Sequence, residues 1–392
     1  MDRIMDNNSI KREVWVDWMR VIACFMVMVV HSTEPFYLGG EGSLVLTKMD
    51  ALWVAFFDSL ARACVPLFVI ASSYLQFPIH YPTREFLKRR AVRVLIPFLI
   101  WTVFYAMYWG KPVENLKGLL LNFNYAAGHL WFVYMLLGLY LLMPLLSPWA
   151  EKVGRKELLF YIGIWGFTTF IPYIREFASG GEILLVKAAD GLPAPALFPL
   201  WGEASWNPFG LLYYFSGFIG YMLLGLYLRK FAGEWSRAKS LGIGIPSLLV
   251  GLSLSAVGFY RRILSSAGGA FPVGGDVSLA VGWETAVTFN TVGVALMSLG
   301  WILLFRQIRS EGVFYRKVLL PVSQASYGMY LCHMVVLALV SGWICQWLGT
   351  GGDAVWTTPV EILLTAACTF IPVALLSVLL RRIPFIGKAI FG

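Results

Sequence analysis

Apolar stretches of membrane-crossing length recur along the whole chain, and this recurrence constrains the fold more than any other feature of the sequence. A helix needs about 20 mostly apolar residues to cross a hydrocarbon core about 30 Å thick. No water is present there to satisfy a bare peptide group, so only a helix or a closed barrel can cross it. Ten stretches qualify as helical spans: Val14 to Leu38, Leu52 to Phe77, Val92 to Trp109, Leu130 to Pro148, Leu158 to Tyr173, Phe209 to Leu228, Leu241 to Phe259, Trp283 to Phe305, Leu319 to Leu348 and Val360 to Leu380. They predict an all-α polytopic membrane protein, a bundle of about ten transmembrane helices. Composition agrees, because 58% of the 392 residues are hydrophobic and 14% are charged, against roughly 25% charged in a soluble domain. Disordered, collagen-like and disulfide-stapled secreted chains are excluded.

The formal charge of +9 raises nucleic acid as a partner, until the positions of the charges are examined. An even number of spans puts both termini on one side. With cytoplasmic termini, the inside segments carry 22 of the 31 Lys and Arg residues, the outside loops carry 7, and Arg20 and Arg62 fall within spans. That bias is the positive-inside rule, and it accounts for the charge without nucleic acid. The expected division is a cytoplasmic N-terminal segment (1–13), a transmembrane domain (14–380) and a short cytoplasmic tail (381–392).

The beginning of the chain does not read as a signal peptide, because Asp17 and Arg20 interrupt its apolar run and no small-residue cleavage site follows. Val21-Ile22-Ala23-Cys24 imitates a lipoprotein cleavage box, but the apolar stretch before it is too short and too charged. The five cysteines stand at no metal-binding spacing, so no metal is expected. No internal repeat is visible. The longest connections, Ile174 to Pro208 and Tyr260 to Gly282, fall outside, where they either form a vestibule or cap the bundle.

An ionisable residue inside a span costs roughly 2.5–3.5 kcal/mol on insertion scales, so it usually faces a protein interior or a water cavity and marks function. The first span holds Asp17, Arg20, His31 and Glu34. Arg20 and His31 are eleven residues apart; eleven steps of about 100° come within about 20° of three full turns, so they share one face at depths about 16 Å apart. Glu34, one turn beyond His31, is within side-chain reach of it. A carboxylate that orients an imidazole and stabilises its protonated form suits a general base; a buried salt bridge that only fixes helix packing is the alternative.

Further polar residues mark later spans. His129 opens the fourth beside Leu130-Trp131-Phe132. Ser326 and His333 lie seven residues apart on the ninth, on one face, with Tyr327 and Tyr330 between them. Singly, each histidine is more often a hydrogen-bonded structural residue. Lys88-Arg89-Arg90-Ala91-Val92-Arg93 leads into the third span ahead of Pro97. Part of this cluster is topological charge, yet Arg90 and Arg93 share a face, and arginine binds phosphate by paired hydrogen bonds. A cytosolic polyanion such as coenzyme A fits there, and so do lipid headgroups. Arg62 needs a partner that the sequence does not name.

In these motifs the chain resembles the acyltransferase 3 family of bacterial membrane proteins. Arg20 followed by ten residues and His31 resembles the family's first-helix signature, Arg90-x-x-Arg93 with Pro97 its third-helix motif, His129-Leu130-Trp131-Phe132 its fourth-helix motif, and Ser326-Tyr327 through His333 its late motif. Together they cover essentially the whole chain in the expected order. Within the family the chain is most similar to stand-alone O-acetyltransferases of surface glycans; the periplasmic esterase-like domain that some relatives carry after the last helix is not expected here.

The resemblance implies a multi-pass protein of the bacterial cytoplasmic membrane. It would transfer an acyl group, usually acetyl, from cytosolic acyl-CoA to a hydroxyl of an envelope glycan or lipid-linked saccharide on the outer side. Acyl-CoA is a substrate, and no permanently bound cofactor or metal is expected. His31, oriented by Glu34, would act as general base or acyl carrier. Arg20, Arg90 and Arg93, with Arg89, would bind acyl-CoA. His129, Trp131, Ser326, Tyr327, Tyr330 and His333 would line the acceptor side or stabilise the oxyanion. The acyl group would need a narrow channel from the inner surface to His31. The rival reading is a transporter or flippase, a class that often shows internal repeats.

Overall fold

The structure, a computed structural model, describes residues 12–38, 44–178, 201–202, 207, 209–233, 235–274, 277–348, 357–384 and 386–392. Most of the expected N-terminal segment and most of the external connection from Ile174 to Pro208 lie outside the described residues. The protein is 79% helical. Its α-helices are α1 (Val14–Thr33), α2 (Lys48–Ala61), α3 (Cys64–Gln76), α4 (Thr83–Arg90), α5 (Ile96–Tyr108), α6 (Pro112–Gly118), α7 (Trp131–Lys152), α8 (Arg155–Thr168), α9 (Ile171–Ala178), α10 (Ile219–Phe231), α11 (Arg237–Ala267), α12 (Val277–Glu284), α13 (Val292–Phe305), α14 (Leu320–Leu348), α15 (Thr357–Leu380) and α16 (Ile386–Phe391). Two short strands, β1 (Leu44–Val45) and β2 (Val273–Gly274), pair antiparallel.

Among the described residues, eight helical stretches are long and apolar enough to cross a membrane: Val14–Phe36, Lys48–Gln76, Thr83–Tyr108, Gly128–Lys152, Arg155–Phe177, Arg237–Ala267, Tyr315–Leu348 and Thr357–Leu380. The other two expected spans are shorter than the sequence suggested. The sixth is a 3-10 turn (Gly210–Phe215) followed by α10, and the break falls at Gly217, whose φ of +75° no ordinary side chain adopts readily. In the eighth, Trp283 and Glu284 form the end of α12, and a turn through Asn290 separates them from α13. At 1.5 Å per residue, the 13 residues of α10 and the 14 of α13 extend about 20 Å, two-thirds of a hydrocarbon core.

The second expected span is also interrupted. It divides into α2 and α3 at Arg62-Ala63, just before Pro66. Proline has no N–H to bond the Arg62 carbonyl and its ring crowds that turn. The third span stays continuous through a π-turn, Ala91–Leu95, two residues before Pro97. The same device recurs at Tyr315–Leu319, two residues before Pro321 at the head of α14. Such one-turn widenings are frequent at functional sites.

The first helix is central, packed against α2, α3, α14 and α15. Its polar stripe therefore faces other helices, which the cost of charge in lipid requires. The long α11 and the short α13 close so tightly that a Cβ at Gly251 would lie 2.5 Å from the Gly293 carbonyl oxygen. The tail after α15 folds back, and α16 packs on α5, α14 and α15. The Trp101 Nε1–H donates to the Ile390 carbonyl at 2.9 Å, and Phe391 is buried.

Candidate active site

At one end of α1, His31 sits in the last helical turn and Glu34 opens the 3-10 turn that follows. His31 Nδ1 and Glu34 Oε2 are 2.7 Å apart, their side chains 17% and 23% exposed. The carboxylate can only accept, so Nδ1 carries the proton and Nε2 presents its lone pair whenever the ring is neutral.

Two more imidazoles converge on this pair. The His31 ring centroid lies 5.1 Å from that of His333 and 6.4 Å from that of His129, and the latter two are 5.3 Å apart. His333, on α14, is fully buried. Its Nδ1 meets the Tyr330 carbonyl at 2.6 Å, which places a proton on Nδ1 and leaves Nε2 as an acceptor. The Nε2 atoms of His333 and His129 are both buried with no hydrogen-bond partner among the described residues. Buried polar atoms are nearly always satisfied, so both are suited to bonding a group bound between the rings. Tyr330 donates its hydroxyl to the His129 carbonyl, and Tyr105, 5.0 Å from the His129 ring, donates to the Leu331 carbonyl at 2.8 Å.

Toward the other end of α1 lies a cavity of about 400 Å³. Arg12, Arg20, Arg90, Arg93 and Arg381 line it, and no aspartate or glutamate does. Arg20 Nη2 donates to Ser326 Oγ at 2.9 Å. The guanidinium of Arg90 lies over the rings of Phe86 and Tyr140 at 5.3 and 5.4 Å, with its buried Nε unpartnered among the described residues. Burial first, and then the neighbouring Arg20 and Arg93, holds the Arg381 guanidinium below its ordinary value. Arg12 differs from the rest, since Asp17 grips it with two 2.7 Å bonds and also accepts from Tyr315 at 2.8 Å and Ser323 at 2.6 Å. Phe68, Leu75, Phe132 and Leu136 supply apolar wall. Tyr330 belongs to both regions: it lines this cavity, and its ring is 5.8 Å from that of His333.

The structure thus brings Arg20, Arg90 and Arg93 together, and separately His31, Glu34, His129 and His333. Four expectations change. Arg89 lies outside the cavity, bonded to Glu85 at 2.8 Å and stacked over Tyr81. Trp131 packs against Phe218 and Phe289 instead of the histidines. Ser326 and Tyr327 face the arginine cavity, because seven and six residues carry them nearly two turns, about 10 Å, from His333. The hydroxyl of Tyr327 donates to the Val94 carbonyl in the π-turn at 2.8 Å.

This geometry stands beside a match over nearly the whole chain: the family model for the acyltransferase domain of the acyltransferase 3 family covers residues 13–378. The chain belongs to the acyltransferase 3 family. It is a membrane acyltransferase. No curated protein and no solved structure matches it.

In this acyltransferase the partners of Arg62 are also plain. Its Nε bonds Asp58 Oδ1 at 2.6 Å, and its Nη2 bonds Glu284 Oε1 at 2.5 Å, Tyr37 Oη at 3.0 Å and Asp58 Oδ2 at 3.1 Å. Asp58, fully buried, also accepts from Thr33 at 2.9 Å and Tyr37 at 3.1 Å. The network ties α2 and α12 to the turn carrying Glu34. Asp58 and Arg62 were discoverable as an i, i+4 pair; Glu284, Arg12 and Arg381 carried no comparable signal.

Proposed function

We propose that the protein moves an acyl group, most simply acetyl, from cytosolic acyl-CoA to a hydroxyl of an envelope glycan on the outer side of the bacterial cytoplasmic membrane. One observation carries the reading. A single central helix joins an arginine-lined cavity without aspartate or glutamate to a carboxylate-oriented imidazole about 16 Å away. With cytoplasmic termini, the arginine end faces the cytosol. The donor's phosphates bind there and its pantetheine arm follows the apolar wall toward Tyr330.

The reaction at the histidine end is thioester alcoholysis. The acceptor hydroxyl gives its proton to His31 Nε2 as its oxygen attacks the thioester carbonyl carbon. The tetrahedral intermediate collapses, the C–S bond breaks, and the proton passes to the leaving thiolate. Glu34 holds the ring and stabilises the imidazolium. A thioester is already activated, so alignment, a base and charge stabilisation suffice. His333, its Nε2 an acceptor, suits an acceptor hydroxyl better than an oxyanion; His129 stands across the same space.

The test is purified protein in nanodiscs with labelled acetyl-CoA and a panel of lipid-linked glycans, followed by mass spectrometry. The expected product is an acetylated glycan, lost in His31→Ala while folding and insertion persist. Retained transfer in that variant would remove the base from His31. Glycan movement across vesicles without acyl-CoA consumption would favour transport.

A further inference from the structure

We propose that Arg381 is a phosphate-binding residue for the acyl donor and completes, with Arg20 and Arg93, a site built from the first, third and last membrane helices. The inference rests on the donor reading above and extends it to a residue that lies outside the resembling motifs.

Arg381 follows directly on α15, and its Nη1 donates to the Gln324 carbonyl of α14. It lines the same cavity as Arg20 and Arg93, close enough for the three guanidiniums to repel one another. Three like charges from elements far apart in sequence are costly to gather unless an anion joins them; no lining side chain supplies one, and Gly392, whose α-carboxylate ends this sequence at the cavity, brings one charge against the four arginines that Asp17 does not hold. The second, independent sign of a missing ligand is the buried, unpartnered Nε of Arg90 in the same cavity. Arg12 is not equivalent, because Asp17 already neutralises it with two hydrogen bonds.

The backbone of Arg381 is also firmly placed. The chain beyond it turns and returns as α16, whose carbonyl at Ile390 accepts from Trp101. The Phe391 ring lies 6.0 Å from that of Trp101 and against Gly328, where a Cβ would collide with it. Phosphoryl oxygens are the chemistry that three converging arginines recognise. They belong to the donor or to an anionic lipid headgroup; the cavity's continuation along Phe132 and Leu136 to Tyr330 favours the donor.

Calorimetry on wild type, Arg381→Ala and Arg381→Lys in phosphatidylcholine nanodiscs tests this, with coenzyme A, 3′-dephospho-coenzyme A and pantetheine as ligands. Loss of one or two charge-assisted hydrogen bonds predicts about 10- to 100-fold weaker coenzyme A binding in Arg381→Ala. Arg381→Lys should recover part of it, and pantetheine binding should be unchanged. Equal weakening of pantetheine and coenzyme A would mark a structural role and overturn the proposal. Unaltered coenzyme A affinity in Arg381→Ala would overturn it while leaving the donor reading intact. Failure of wild type to bind coenzyme A would instead remove the donor reading itself. A defect that appears only when phosphatidylglycerol is present would assign the site to lipid and overturn the donor assignment.

Discussion

Replacing Glu34 with glutamine tests whether the carboxylate acts through charge or only through shape. Gln is nearly isosteric, and its amide oxygen is still able to accept from His31 Nδ1 across the 2.7 Å separation. What it lacks is the negative charge that steadies the imidazolium formed when the acceptor hydroxyl is deprotonated. The pair is mostly enclosed, with side-chain exposures of 17% and 23%, so solvent only partly screens the loss. A hydrogen bond to a charged group is worth about 1.5–3 kcal/mol against about 1 for a neutral one. At 1.36 kcal/mol per tenfold in rate, the loss of up to about 2 kcal/mol corresponds to a fall in kcat of up to about 30-fold. His31→Ala, which removes the base, should cost about 10²- to 10⁴-fold.

Because the arginine cavity lies about 16 Å away along α1, the KM for acyl-CoA should stay put. The assay is initial-rate transfer to a saturating glycan acceptor. The double variant should be no slower than His31→Ala alone, since residues acting as a unit are non-additive. A kcat for Glu34→Gln within a factor of two of wild type, or losses that simply multiply in the double variant, would refute the charge argument.

Two further outcomes follow from named contacts. Arg62→Leu leaves Asp58 Oδ1 bare in a fully buried position, so it should destabilise by about 3–5 kcal/mol, read as a lower unfolding temperature in detergent. The pair Asp58→Leu/Arg62→Leu should be less damaged than Arg62→Leu, and equal damage would show that the charges are not coupled. Arg90→Ala with Arg93→Ala should raise the dissociation constant for acyl-CoA while single-turnover transfer at saturating donor is retained; an unchanged constant would count against the donor site.

Much of the helical architecture was legible in the sequence, because crossing a hydrocarbon core imposes a length and a composition that any reader can count. Where that reading went astray, the cause was a local interruption of a continuous apolar run. Gly217 and the turn at Asn290 shorten α10 and α13. Hydropathy sums are blind to such breaks. Within the site, His31 and Glu34 were legible as a pair because one helical turn joins them. A motif lists neighbours in sequence and does not show where each points: Trp131 turns toward Phe289 while its neighbour-but-one His129 turns toward His333.

By itself, the sequence determined the elements and the spacing of groups along each of them: apolar helices, a positive-inside bias, and Arg20 and His31 on one face of α1. These follow from the 3.6-residue period and the 1.5 Å rise, which operate within a single helix. Tertiary structure alone decided which helices meet. It gathered His31, His129 and His333 from three elements, set Glu284 on Arg62, and folded α16 back so that Arg381 faces Arg20 and Arg93. The reason is physical. Contacts between helices depend on side-chain packing across hundreds of residues of separation, and no periodicity within one helix records its neighbours.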